Sequence, residues 1–544
     1  MRERISRSRG ISIFFSRKEF YEISFFLRFF QYQEKGDERA MVSFMNRKLE
    51  FRSVCLLGVL LFAAAFGSCS TSEQMKNQDA QEMVIDQPLL ENPVKIDTGY
   101  IAGTIIGDPG KEVHIFRGIP YAAPPVGELR WKPPQPVTPW EGIRETTKFR
   151  PWAAQRYPSP AVFEVATDAD MSEDCLYLNV LTPAKLTTDR LPVMVWFHGG
   201  GLDILSGNQV RYNSPDLPQQ GVVLVTISHR LGPFGFLSHP WLSAESPNKT
   251  SGNYGALDLI AALEWVQRNI SAFGGDPGRV LIFGQSGGGR KVNFMMASPI
   301  VPKGLFHRAV CHSGSINSIS KEEAEKNGLA LSNALGVKTL EEFRTVPWRD
   351  IMAAAGKVRF SGQFVEDGWS LLEPITQSFT DGDQKDVPYM IGMVATEDEG
   401  HFKMPIDLLP KMKQHKSPVY AYVFKAVPAG WKNDGVTGWH AIDVAYVFAT
   451  LEASFVNLKQ AYFDAYPKPQ GAKNVDPGIT EADRQLALNM KKIWTRFATT
   501  GNPSIDGIVD WKPYQPDTDY YLEIDLPLEV KTGLSKLTQG KKSE

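Results

Sequence analysis

The 544-residue chain predicts an α/β fold: a mostly parallel central sheet flanked by helices, in a single large domain. Three observations carry this. Short apolar runs of strand length alternate with a segment of helical spacing. Those runs are apolar on both faces, as strands are when helices cover both sides of a parallel sheet. From Val94 onward no repeat, low-complexity stretch or second linker divides the chain. A 42% hydrophobic, 22% charged composition fits a large buried core. A net charge of −2 offers no basic footprint for nucleic acid.

The N-terminal part reads differently. Val54–Phe66 is apolar, too short to span a bilayer, preceded by Arg47, Lys48 and Arg52 and followed by Gly67, Ser68 and Cys69. This pattern predicts a secretory signal over 45–68, starting at Met45 or Met41, with 1–44 as a spurious extension upstream. Small residues directly before Cys69 are similar to a bacterial lipoprotein cleavage site, although Phe66 stands where an aliphatic residue is usual. Cys69 is then the lipidated N-terminus, and the polar stretch 69–93 tethers the anchor to a domain over 94–544. Ser70 in place of Asp points to the outer membrane, and the chain is expected to be exported, as a bacterial lipoprotein of the outer membrane or periplasm or as a secreted protein. Membrane contact is expected through this anchor alone.

Within the domain, Leu191–Phe197 reads as a strand ending at His198 and three glycines, and Val222–Ser228 as a near-continuous apolar strand. Leu257–Ile270 has the spacing of a helix, through Leu257, Ile260, Ala261, Leu263, Trp265, Val266 and Ile270. Val280–Phe283 is a short strand, and Arg290–Ala297 a helix after it. Tyr389–Val394 is a further apolar run.

Gly284-Gln285-Ser286-Gly287-Gly288 is the only G-x-S-x-G sequence. It lies between the strand and the helix just named, where a sharp turn exposes a serine hydroxyl at the carboxyl edge of a sheet. Ser286 is therefore the candidate nucleophile. It needs a base and an orienting acid, and on this type of turn the acid precedes the histidine in the chain. Of nine histidines, His401, His415 and His440 leave room for an acid between. His440, after a glycine-rich loop, is the preferred base; His401 would share the acid's loop, and His415 sits in a lysine-rich run. Thr396-Glu397-Asp398-Glu399-Gly400 follows the run Tyr389–Val394 and offers three carboxylates. Glu399 is preferred, Glu397 second and Asp398 third. His198-Gly199-Gly200-Gly201 also follows a strand and suits an oxyanion loop, with the N–H groups of Gly200, Gly201 and Gly287 as donors.

Many motifs in order then give a resemblance to the type-B carboxylesterases, the α/β-hydrolases that include cholinesterases. They include Phe116-Arg-Gly-Ile-Pro-Tyr121, Ser172-Glu-Asp-Cys175, Phe197-His-Gly-Gly-Gly201, His229-Arg-Leu-Gly232, Gly252-Asn-Tyr-Gly255, the Ser286 turn, His312-Ser-Gly-Ser315, Asp398-Glu-Gly400 and His440-Ala-Ile-Asp443. The resemblance implies an α/β-hydrolase fold and hydrolysis of small-molecule carboxylic esters through an acyl-enzyme, with no metal or cofactor. It implies Ser286 as nucleophile, Glu399 as acid, His440 as base, and Gly200, Gly201 and Gly287 as oxyanion donors. Arg130 and Glu173 match a structural salt bridge of the family, and Ser313 a hydroxyl behind the acid and base. A non-catalytic binding relative, or a lipase, amidase or thioesterase on the same triad, is the alternative.

The chain departs from the family in three places. Ala153 stands where the partner of Cys175 would complete a disulfide, so Cys175 is expected as a buried free thiol. The loop before Met171 lacks the tryptophan that binds choline. The segment between Glu399 and His440 is short, which predicts a wider, more open pocket. Asp203, just past the glycines, is expected to be a solvated loop carboxylate rather than a contact for a cationic substrate.

Overall fold

The computed structural model describes residues 93–156, 170–397, 399–456 and 476–537. All belong to one compact unit, Ile85–Glu544. The expected extension 1–44, signal 45–68 and tether with Cys69 lie outside the described residues.

Eleven strands form the main sheet: β1 (Thr104–Ile106), β2 (Val113–Pro120), β3 (Tyr177–Thr182), β4 (Leu191–Phe197), β5 (Val223–Ile227), β6 (Gly275–Gln285), β7 (Arg308–His312), β8 (Tyr389–Val394), β9 (Val419–Phe424), β10 (Tyr521–Ile524) and β11 (Leu528–Lys531). Their spatial order is β11-β10-β9-β8-β7-β6-β4-β5-β3-β2-β1. The strands from β5 through β4 and β6 to β10 run parallel. Antiparallel pairs close both edges.

The expected alternation of faces holds residue by residue. On β4, Val193, Val195 and Phe197 enter one core cluster while Met194 and Trp196 enter the other. The first cluster is completed by Leu259 and Leu263 of α1 (Tyr254–Asn269) and by Val292 and Met295 of α2 (Gly287–Ala297). Between β8 and β9 runs α3 (Glu399–Leu408). The second cluster takes Val444 and Tyr446 of α4 (Ile442–Val447) and Trp494 and Phe497 of α5 (Glu481–Thr500). In it Trp196 meets Tyr212, Phe283 and Phe448 with ring centroids 5.0, 4.8 and 5.0 Å away. Such aromatic pairs add about 0.5–1.5 kcal/mol each beyond their buried area.

Strand β6 begins at Gly275, not Val280, because Gly275 already pairs with Leu191 across a bulge that spans the polar residues between. Helix α2 starts at Gly287, immediately after Ser286. What positions the site is register. Gly284 pairs with Phe197 on one side and Cys311 on the other, so the carboxyl ends of β4, β6 and β7 lie side by side.

Candidate active site

Strand β6 ends at Gln285 and the chain turns at Ser286, whose φ of 58° and ψ of −122° lie far from the strand and helix on either side. A non-glycine residue held there is strained, and the turn persists because its surroundings fix it. The Ser286 N–H donates to the His312 carbonyl at 2.8 Å, and the Ser286 carbonyl accepts from Arg290 N–H at 3.0 Å, inside α2. The hydroxyl therefore stands at the N-terminus of an eleven-residue helix, where developing negative charge is favoured.

The glycines around it are required by close approach. A methyl carbon on Gly288 would fall 2.0 Å from the Phe197 carbonyl oxygen, and one on Gly287 would fall 1.9 Å from that of Gly201. Helix α2 is thus pressed directly against the loop that leaves β4. In that loop Gly200 has a φ of +83°, and its carbonyl accepts from Ile204 N–H at 3.1 Å. The loop's far end is tied down by Asp203, whose carboxylate accepts from Gly362 N–H at 2.9 Å and from the Ser361 hydroxyl at 2.7 Å. The structure assigns Asp203 a use as an anchor, which the sequence reading, in weighing a solvated carboxylate against a substrate contact, left out.

His440 lies between two side chains. Its Nδ1 is 2.5 Å from Oε1 of Glu397, and its Nε2 is 3.2 Å from Nε2 of Gln285, the residue before Ser286. The carboxylate against the ring is that of Glu397, whereas the family resemblance placed the acid at Glu399. The reason is local: after β8 the chain turns back, so that Oε2 of Glu397 accepts the Val394 N–H at 3.0 Å and the side chain is wholly buried. Glu399 instead opens helix α3. Thr396 Oγ1 donates to the Gly438 carbonyl, which joins the acid's loop to the base's loop. With Nδ1–H donating to a carboxylate, the ring presents its Nε2 lone pair toward the Gln285 side chain and the serine turn.

The two other candidate bases have different surroundings. His401 packs its ring 4.6 Å from that of His440. His415 Nε2 donates to the Val387 carbonyl at 3.0 Å and its Nδ1 accepts from Gln384 Nε2 at 3.1 Å, and burial pushes its imidazole pKa down.

A buried network that sequence reasoning missed lies behind these loops. His312 Nδ1 is 2.8 Å from the Tyr422 hydroxyl and 3.1 Å from Asp443 Oδ2, and its Nε2 accepts from Trp494 Nε1 at 3.1 Å. It ties the carbonyl that holds Ser286 to α4, which starts just after His440. His312 and Asp443 stood in the quoted motifs, but nothing in sequence separation joined them.

Arg130 and Glu173 form the expected pair, with Arg130 Nε donating to Glu173 Oε2 at 2.7 Å. Arg130 also donates to the Arg344 and Val346 carbonyls at 2.8 and 2.7 Å. Cys175 is a buried free thiol beside Ala153, its pKa pushed well up by burial. Among the described residues no group of three or more His, Cys, Asp or Glu is arranged to hold a metal. No helix among them is long and apolar enough to cross a membrane.

The chain and its fold match known proteins. A model of the carboxylesterase family matches residues 91–408 and 373–539. A para-nitrobenzyl esterase of Bacillus subtilis is 31% identical over 493 residues, covering 79% of this chain and 94% of the relative. A fumonisin B1 esterase of Sphingopyxis macrogoltabida is 30% identical, covering 76% and 84%. A solved PNB esterase structure superposes with a TM-score of 0.69 at 30% identity, covering 81% of this chain and 97% of that one. The chain therefore belongs to the carboxylesterase family, with the α/β-hydrolase fold, and is a carboxylic ester hydrolase.

Proposed function

We propose that ester cleavage proceeds through an acyl-enzyme on Ser286, with His440 as base and Glu397 as the acid that orients it. The observation that carries this is the Glu397–His440 contact of 2.5 Å on a ring whose other nitrogen faces the side chain next to Ser286. Ser286 Oγ attacks the ester carbonyl carbon and its proton passes to His440 Nε2. The tetrahedral oxyanion accepts from the N–H groups of Gly200, Gly201 and Gly287. As the carbonyl re-forms, the bond to the alcohol oxygen breaks and the imidazolium returns its proton to that oxygen. Water then repeats the sequence on the acyl-serine, giving the acid and free Ser286. Glu397 keeps the proton on Nδ1 before each transfer and stabilises the cation after it. The Gln285 amide, donating to Nε2, must yield that lone pair to Ser286 before attack.

Hydrolysis of p-nitrophenyl acetate, butyrate and palmitate checks this reading. A burst of p-nitrophenol stoichiometric with enzyme is expected, and Ser286→Ala abolishes both burst and turnover. Linear release with no burst, unchanged in Ser286→Ala, counts against it.

The same reading extends to the N-terminus, on sequence alone: export by the 45–68 signal and lipidation of Cys69 at the outer membrane. Cells fed an alkynyl fatty acid should label the wild-type chain and not C69A.

A further inference from the structure

Lys291 is a lysine with no exposed surface, on the second turn of α2 just past the nucleophile's turn. Its Nζ donates to the His198 carbonyl at 2.9 Å. That carbonyl belongs to the peptide from which the glycine loop Gly199–Gly201 departs. Within the loop His198 Nδ1 bonds the Gly199 carbonyl and Ile204 N–H bonds that of Gly200, while Gly200 and Gly201 both have positive φ and the far end is fixed through Asp203 to Ser361 and Gly362. Lys291 is the fastening at the near end. The packing around it is polar and buried. The rings of His198 and His229 stack at 5.0 Å, each bonding a main-chain carbonyl through Nδ1. Each leaves Nε2 without a hydrogen-bond partner among the described residues. Both imidazoles have pKa values pushed well down by burial, with the Lys291 charge adding to it. Burial also pushes the Lys291 amine down, to about 7, with Arg290 lowering it further and Asp203 opposing. A long polar side chain kept at such a site is costly to bury, which a role in packing alone would not require.

We infer that Lys291 is a positioning residue for the oxyanion loop: its amine clamps the His198 carbonyl to the helix that carries Ser286, and so fixes the aim of the Gly200 and Gly201 N–H groups. The inference rests on the proposed role of that loop. The clamp acts on charge that appears only in the tetrahedral intermediate, so its loss falls on kcat and not on KM.

The test compares wild type, K291Q and K291M, with kcat expressed per active site titrated by a fluorophosphonate. Gln keeps an N–H donor for the carbonyl, whereas Met fills the space and keeps none. The expected order of kcat is wild type, then K291Q, then K291M, with K291M down by about tenfold or more and KM within about threefold. A trifluoromethyl ketone, whose hemiketal oxygen needs the same donors, should lose affinity in the same order. Thermal midpoints should instead favour Met over Gln, because packing prefers the apolar side chain. K291M equal to or faster than K291Q overturns the clamp. Should K291M not yield folded protein, K291L takes its place as the variant without a donor: kcat and ketone affinity both equal to K291Q overturn the clamp, and a matched fall in both below K291Q supports it. An inactive wild type would instead remove the esterase reading on which the clamp depends.

Discussion

Glu397 and His440 meet from loops at the ends of different elements, and the contact is asymmetric: the carboxylate is wholly buried, while the imidazole is about one-third exposed, at 36%. The carboxylate is held from behind by the Val394 N–H, so that in the proposed triad a fixed partner orients the ring. Such an orienting carboxylate sets the tautomer, and removing its charge without changing its shape costs about 10⁴ in kcat in the best-studied serine hydrolases.

Glu397→Gln should therefore lower kcat/KM on p-nitrophenyl butyrate by about 10³–10⁴. Glu399→Gln should change it by less than about fivefold, since in this account Glu397 and not Glu399 orients the imidazole. Steady-state kinetics on both variants separate the two; a larger loss in Glu399→Gln would return the acid to the position that the motif match implies.

Gly288→Ala should be destabilising and inactivating together. Its methyl would meet the Phe197 carbonyl at 2.0 Å, main chain that cannot rotate away, so helix α2 must move off β4. Overpacking of this kind costs about 1–3 kcal/mol, visible as a lower urea midpoint, and the shift moves Ser286 with the helix. Full activity with an unchanged midpoint would show that the contact is looser than described.

Glu173→Ala should cost about 3–5 kcal/mol in urea unfolding, because it leaves the Arg130 guanidinium buried with only carbonyl partners. The pair bonds to Arg344 and Val346 and to none of the residues proposed for catalysis, so kcat per folded enzyme should stay within about twofold.

Lys291 predicts a pH dependence of stability. Its amine is at about 7 in the fold, against about 10.4 in an unfolded chain. Between those values the unfolded chain binds a proton that the fold does not, so this residue makes stability rise with pH from about 7 to about 10. Below about 7 both states are protonated and the cost of the buried charge is fully present. K291M removes the slope. Its lead over wild type in urea midpoint should be largest at pH 6.5 and shrink by pH 9; parallel pH curves for the two proteins would contradict the assignment.

The parts of the molecule that were legible in sequence are those written in short-range pattern. Leu191–Phe197 and Tyr389–Val394 fall where their apolar runs end, because burial on both faces leaves no polar residue inside the strand. The start of β6 was hidden, since Asp276, Pro277, Gly278 and Arg279 interrupt the apolar run across a bulge. The turn at Ser286 was legible because a glycine-flanked serine between an apolar run and a helical one marks a sharp strand-to-helix turn. That Glu397, and not the preferred Glu399, meets His440 was not legible, as three consecutive carboxylates share one composition and the contact depends on the backbone turn after β8. The links from His312 to Asp443 and from Lys291 to His198 depend on packing between distant segments, which no local pattern encodes.

The central claim is that Ser286 is the activated nucleophile, and the most direct measurement is intact and peptide mass spectrometry after a fluorophosphonate is added to wild type, Ser286→Ala and His440→Ala. The account predicts one adduct per wild-type chain, on the peptide containing Ser286, none in Ser286→Ala, and labelling slowed by about 10³ or more in His440→Ala. An adduct on another residue, or equal labelling rates with and without the imidazole, would contradict it.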